Sequence, residues 1–267
     1  MDNIDGLPSG FPEIDEKISG LKRGNLIMVC ARPGVGKRQF VINIANYMSG
    51  KKELYGAVFS KTISCSLLQD YWISKDAVID IDHRSDLNKE ELDRWIASFE
   101  YLFKVPIYFN DNSCITLYEI YTKCKQLKHD GKLDYLIIAD DIQNLSFGKR
   151  FLYKNSKLLE QNHICFYLKW MAKKLNIPIV IVSRLPRIID YRHDHRLVLS
   201  DFSTMGNIDW WVDVVLYIFR DDYYTKSSSY KPGIAEINII KNHNNIGSVE
   251  LAYIRKICCF ANMQILF

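Results

Sequence analysis

The stretch "ARPGVGKRQF", residues 31–40, holds residue types that grip a phosphate: Gly34, Gly36 and then Lys37, after an apolar run and before a helical pattern. Glycines let backbone N–H groups turn towards an anion, a helix start adds its dipole, and lysine adds a full charge. Arg32, Pro33, Gly34, Val35, Gly36, Lys37, Arg38 and Gln39 are therefore the candidate cofactor-binding loop, with ATP or another nucleotide as the candidate cofactor. The residue after such a lysine ordinarily offers a hydroxyl to Mg²⁺. Arg38 stands there instead, permanently charged and without an acceptor atom, so Mg²⁺ is not expected. Two readings of Arg38 are open. Its guanidinium can balance phosphate oxygens without metal, or it can point outward or pair with Asp140 or Asp141 and fill the site.

Asp140 ends the apolar run "YLIIAD" (135–140) and Asp141 follows it; the resemblance given below makes Asp140 the candidate metal ligand. A lone aspartate at a strand end also caps turns, and that reading stands beside the first. Both features need a scaffold. Short β-rich runs occur at 25–31, 55–60, 106–111, 135–140, 178–184, 214–220, 235–242 and 249–254. Those up to 184 are continuously apolar, as strands buried on both faces are. Between them lie helical stripes: Leu92, Trp95, Ile96, Phe99, Leu102 and Phe103; Leu117, Ile120, Tyr121, Cys124 and Leu127; Ile164, Leu168, Met171 and Leu175. We read these as core faces. Alternating strands and helices predict an α/β fold, a mostly parallel twisted sheet with helices on both faces. The last three runs follow without long helices and predict an antiparallel carboxyl-terminal extension. Loop and Asp140 then share the carboxyl edge of the sheet, where ligands sit in such folds.

The net charge of +4 over 267 residues is too small to announce a nucleic-acid binder, although it permits one. Seven cysteines show no Cys-x-x-Cys spacing and several sit in apolar runs, which fits free thiols in a reducing compartment. No apolar run approaches the ~20 residues of a membrane span, and the polar amino terminus does not resemble a signal peptide. A cytoplasmic protein without a membrane partner is expected.

The order of segments resembles the carboxyl-terminal, RecA-like motor domain of DnaB-type replicative helicases. The resemblance is carried by "SGFPEIDEKISGLKRGNLIMVCARPGVGK" (9–37), "LDYLIIADDIQNL" (133–145) and "LKWMAKKLNIPIVIVSRLPR" (168–187), then by "LSDFSTMGNIDWWVDVVLYIFRDDYY" (199–224) and "GIAEINIIKNHNNIGSVELAYI" (233–254). It implies one RecA-like P-loop NTPase domain over 1–267, without the family's amino-terminal helical domain and linker helix. It also implies roles by position. Asp140 matches the Walker B aspartate. Thr62, in "SKTIS", stands where the family has the glutamate that polarises water. Arg184 replaces a glutamine that senses the γ-phosphate, and His243, in "KNH", replaces the arginine finger. Phe166 replaces a helix arginine, and "STMG" (203–206) replaces the family's Arg-Glu-Ser-Gly. Arg187, Arg192 and Arg196 match basic positions facing the DNA channel.

A general base is worth ~10²–10⁴ in rate and an arginine finger ~10³–10⁵. Either loss idles a motor, so the expectation is a degenerate ATPase: a non-hydrolysing, replication-associated subunit with at most weak nucleotide and weak, non-specific DNA binding. It would act beside an active DnaB-type helicase or another replication protein. Two alternatives stay open: a regulatory or scaffold module without nucleotide or DNA, in which the tandem tryptophans of "DWW" (209–211) would serve a partner, and an active helicase with unconventional residues.

Overall fold

The structure is a computed structural model and describes residues 5–148, 157–185, 187–198, 200–201, 208–225, 229–242 and 245–263. Among the described residues one nine-stranded sheet runs through the molecule in the order β3-β2-β4-β5-β1-β6-β7-β8-β9. The strands are β1 (Leu26–Ala31), β2 (Gly56–Phe59), β3 (Ile107–Asn110), β4 (Tyr135–Asp141), β5 (Ile179–Arg184), β6 (Val214–Phe219), β7 (Ile234–Lys241), β8 (Gly247–Ile254) and β9 (Cys259–Asn262). The helices are α1 (Pro12–Ile18), α2 (Lys37–Ala45), α3 (Cys65–Ala77), α4 (Lys89–Lys104), α5 (Leu117–His129), α6 (Lys157–Leu175) and the short α7 (Asp221–Thr225).

Strand alternation builds two cores. Ile27, Val29 and Ala31 of β1 face a layer with Ile14, Phe40 and Trp72 from α1, α2 and α3. Leu26, Met28 and Cys30 face the other layer, with Ile120, Leu168 and Met171 from α5 and α6. This is the mostly parallel sheet covered on both faces, and its eight sequence-predicted strands are all present. Three details differ. β6 pairs parallel with β1, so the antiparallel extension comprises β7, β8 and the unforeseen β9. β9 was missed because four residues after a turn carry little periodicity. β3 is only half buried because it forms the sheet's edge.

A further difference concerns a helix, α4. Its start is locally specified, with Asn88 and Glu91 forming a capping box. Its apolar stripe, read as core, is mostly not core. Only Leu102 is buried, Trp95 packs partly against the core, and Leu92, Ile96, Phe99 and Phe103 are exposed, the last by 74%. The helix packs on α3 and leaves its outer side exposed. The stripes of α5 and α6 face the core as expected. All seven cysteines are free, and five are buried.

Asp15 on α1 is a buried carboxylate whose two oxygens each lie 3.0 Å from the Ser9 N–H. Burial pushes its carboxyl up from 3.8 to about 6, against the pull of the hydrogen bonds from Ser9 and Gly10. Between these values the unfolded chain ionises first, so this group's contribution to stability falls as pH rises and levels off above about 6. Asp15→Asn should remove that dependence. Its stability relative to wild type should improve by up to about 3 kcal/mol between pH 4 and pH 7. Urea unfolding at both pH values reads this directly; a difference independent of pH would contradict it.

Candidate functional site

The carboxyl ends of β4, β5 and β1 lie side by side, and the phosphate-type loop leaves β1 at that edge. Gly36 caps α2 with φ 116°, a conformation that glycine tolerates. A Cβ there would also come within 3.0 Å of Phe260 and 3.2 Å of Tyr253. Val35 is buried in the core and anchors the loop. Two arginines brace the loop. Arg32 donates to the Leu185 carbonyl at 3.0 Å and to Asp190 at 2.6 Å, and Arg220 donates to the Val35 carbonyl at 3.3 Å. Arg220 is itself held by Asp222 and stacks on the Tyr253 ring, 4.2 Å from its centroid.

Lys37 does not face open solvent. Its Nζ lies 2.9 Å from Asp141 Oδ1, and the two side chains are only 5% and 1% exposed. The other Asp141 oxygen accepts from Arg184 Nη2 at 3.0 Å, with Arg38 Nη2 at 4.0 Å. Burial alone would raise the Asp141 carboxyl; the Lys37 ammonium, then Arg38 and Arg184, outweigh it and hold it below its ordinary value. Asp141, at the end of β4, is thus an ionised carboxylate facing the loop; its Oδ1 meets Lys37 at ion-pair distance without a hydrogen bond.

Arg38 lies beside both carboxylates, the arrangement that its second sequence reading describes. Its Nε donates to the Ala139 carbonyl at 3.1 Å, and Nη2 lies 3.7 Å from Asp140 Oδ1. Asp140, fully buried, is surrounded by donors. Oδ2 accepts from the N–H of Lys61 at 2.5 Å and of Thr62 at 2.9 Å; Oδ1 accepts from the Thr62 hydroxyl at 2.5 Å and Asn144 Nδ2 at 3.3 Å. A carboxylate has about four acceptor positions, so none is left over. Among the described residues no group of three His, Cys, Asp or Glu side chains is placed to hold a metal ion.

Beside the loop opens a cleft of about 840 Å³, lined by Gly34, Gln39, Tyr71, Arg84, Tyr223 and Tyr253 among others. Ligand clefts commonly measure about 300–1,000 Å³. The structure therefore brings together loop, Thr62, Asp140 and Arg184. Two participants were missed as site residues: Asp141, weighed only as a partner for Arg38, and Arg220. The doubled aspartate ending an apolar strand was the available signal for the first. For Arg220 nothing local pointed to the loop.

The other sequence candidates lie elsewhere. Arg192 is clamped on Asp201 through two bonds of 2.8 and 2.5 Å, and Arg196 donates to Glu236 at 2.8 Å while covering the Phe219 ring. The side chain of Arg187, all of His243 and the segment 203–206 lie outside the described residues. Lys241 donates to the Val212 carbonyl at 2.6 Å. Phe166 packs edge-on against Trp211, whose indole donates to Asn162; Trp210 is 74% exposed. No helix among the described residues is long and apolar enough to cross a membrane.

Comparison with known proteins places this geometry in context. The family described as DnaB-like helicase C terminal domain matches residues 6–262. The replicative DNA helicase DnaB of Geobacillus stearothermophilus is 33% identical over 264 residues, covering 98% of this chain and 57% of the relative. The replicative DNA helicase DnaC of Bacillus subtilis (strain 168) is 32% identical over 265 residues, with 98% and 58% covered. The chain thus spans a little over half the length of these relatives. A solved DnaB-like replicative helicase, studied in its interactions with primase, superposes with a TM-score of 0.91 at 28% identity, covering 98% of this chain and 63% of that one. A solved ATPase domain gives 0.90 at 28% identity, with 98% and 92% covered.

Proposed function

Because this chain belongs to the DnaB-like helicase C-terminal domain family, we propose that it is a member that has kept the RecA-like fold and lost the motor's chemistry: a replication-associated subunit that does not hydrolyse ATP and binds nucleotide and DNA weakly at most. The observation that carries this reading is the occupied loop. Lys37 is paired with Asp141, and Asp140 has its acceptor positions filled by Lys61, Thr62 and Asn144. The donor set does not suit Mg²⁺, which needs near-octahedral oxygen ligands and ordinarily takes a hydroxyl and a carboxylate here. Arg38 offers no oxygen and Asp140 no spare one. Thr62, at the position of the family's water-polarising glutamate, is a neutral hydroxyl that donates to Asp140 and is no base near pH 7. Arg184, at the position of the γ-phosphate-sensing glutamine, is turned onto Asp141.

DNA phosphates would have to compete with Asp201 and Glu236 for Arg192 and Arg196, which favours weak, salt-sensitive contact. A second reading, an interaction module that needs neither nucleotide nor DNA, draws on the exposed apolar side of α4 and on Trp210. Phosphate release from ATP with Mg²⁺, with and without single-stranded DNA, tests the main reading. Wild type and Lys37→Ala should both stay at background. Turnover near ~1 s⁻¹ or faster that Lys37→Ala abolishes would overturn it.

A further inference from the structure

We propose that the Asp141 carboxylate is a built-in competitor for the phosphate site, an anion supplied by the protein's own sheet that holds the loop lysine against incoming phosphate. The proposal rests on the reading of a degenerate site given above and deepens it, since it names the group that closes the loop and the ligand class it excludes: polyphosphate, free or carried by a nucleotide.

Three cations and two carboxylates meet here: Lys37, Arg38 and Arg184 with Asp140 and Asp141. The two carboxylates are not equivalent. Asp140 is satisfied mainly by Lys61, Thr62 and Asn144. Among the described residues Asp141 has only the cations as side-chain partners, with Lys37 at ion-pair distance from one oxygen and Arg184 donating to the other. Those are the groups that a phosphate in the loop would need. The pair is nearly sealed from water, so its attraction is little screened. A phosphate reaching Lys37 would therefore meet a like charge one ion-pair length away, in a setting where repulsion is strong. Arg184 is half exposed and so reaches from Asp141 towards solvent, where a released guanidinium would add to the site. Because the same cations hold the Asp141 carboxyl below its ordinary value, neutral pH does not lift the block. Removing the charge should.

The test is calorimetric titration of inorganic tripolyphosphate, and of ATP, into the protein in EDTA. Asp141→Asn keeps the shape and one acceptor oxygen while deleting the charge. It should bind both probes at least about tenfold more tightly than wild type, within the usual range for a coupling between neighbouring sites. The gain should vanish in Asp141→Asn combined with Lys37→Ala. A variant that melts like wild type yet binds no better overturns the proposal, and so does a gain that survives without Lys37. Should Asp141→Asn fail to fold, Asp141→Ser, which also deletes the charge, is read against the same outcomes. Wild type gives a second measurement: it should bind tripolyphosphate in EDTA with a Kd weaker than about 0.1 mM, and tighter binding overturns the proposal, because the lysine would then be free to serve phosphate. Binding in EDTA reports on Asp141 and phosphate release with Mg²⁺ reports on hydrolysis, so the two readings fail separately.

Discussion

Asp140→Ala is expected to lower the melting temperature by roughly 10 °C, corresponding to a loss of about 3–5 kcal/mol in a domain of this size. The carboxylate is fully buried and accepts from two backbone N–H groups, the Thr62 hydroxyl and Asn144, with Arg38 close by. Alanine leaves all of these donors facing a void, and each unsatisfied buried donor costs about 1–3 kcal/mol before water enters. Asp140→Asn keeps one acceptor and turns an NH₂ group towards backbone donors, so it should fall between alanine and wild type. Thermal melting of the three proteins measures this. A catalytic aspartate that awaits a metal has room around it and little to lose; equal melting temperatures would return Asp140 to that role and weaken the case for a filled site.

Gly56→Ala should destabilise the fold more than any surface change, by about 3 kcal/mol or more. A Cβ at this position would lie 2.2 Å from Tyr135 Cζ and 2.3 Å from its hydroxyl oxygen, far inside contact distance. Gly56 and Tyr135 are register partners on β2 and β4. The ring cannot swing aside, because it is fully buried and its hydroxyl pairs with Ser49 Oγ at 2.6 Å. The collision is local, so it should be relieved by shortening the ring. In a Tyr135→Leu background, Gly56→Ala should cost less than about 1 kcal/mol, a coupling that urea unfolding of the four proteins isolates. Equal costs in both backgrounds would mean that the glycine matters for strand entropy alone.

Much of this protein is written in short windows of its sequence. The apolar runs are long enough to announce eight strands, and the placement of "ARPGVGK" between strand and helix puts the loop at the sheet's carboxyl edge. Such features depend on a few consecutive residues and on their period, and they survive any tertiary arrangement. What the loop does with its lysine is of another kind. Lys37, Asp141 and Arg184 are far apart in the chain and meet only because β4, β5 and β1 are neighbours in the sheet. The stripe on α4 reads as core by periodicity, yet periodicity states that a face is apolar and not whether an element exists to cover it. β6 likewise looks like the first strand of the antiparallel set, but its direction follows from pairing with β1. The sequence determines that a phosphate-type loop is present and where it sits. Tertiary structure decides that its lysine is already taken, because only packing brings an anion from a distant strand to within 2.9 Å of it.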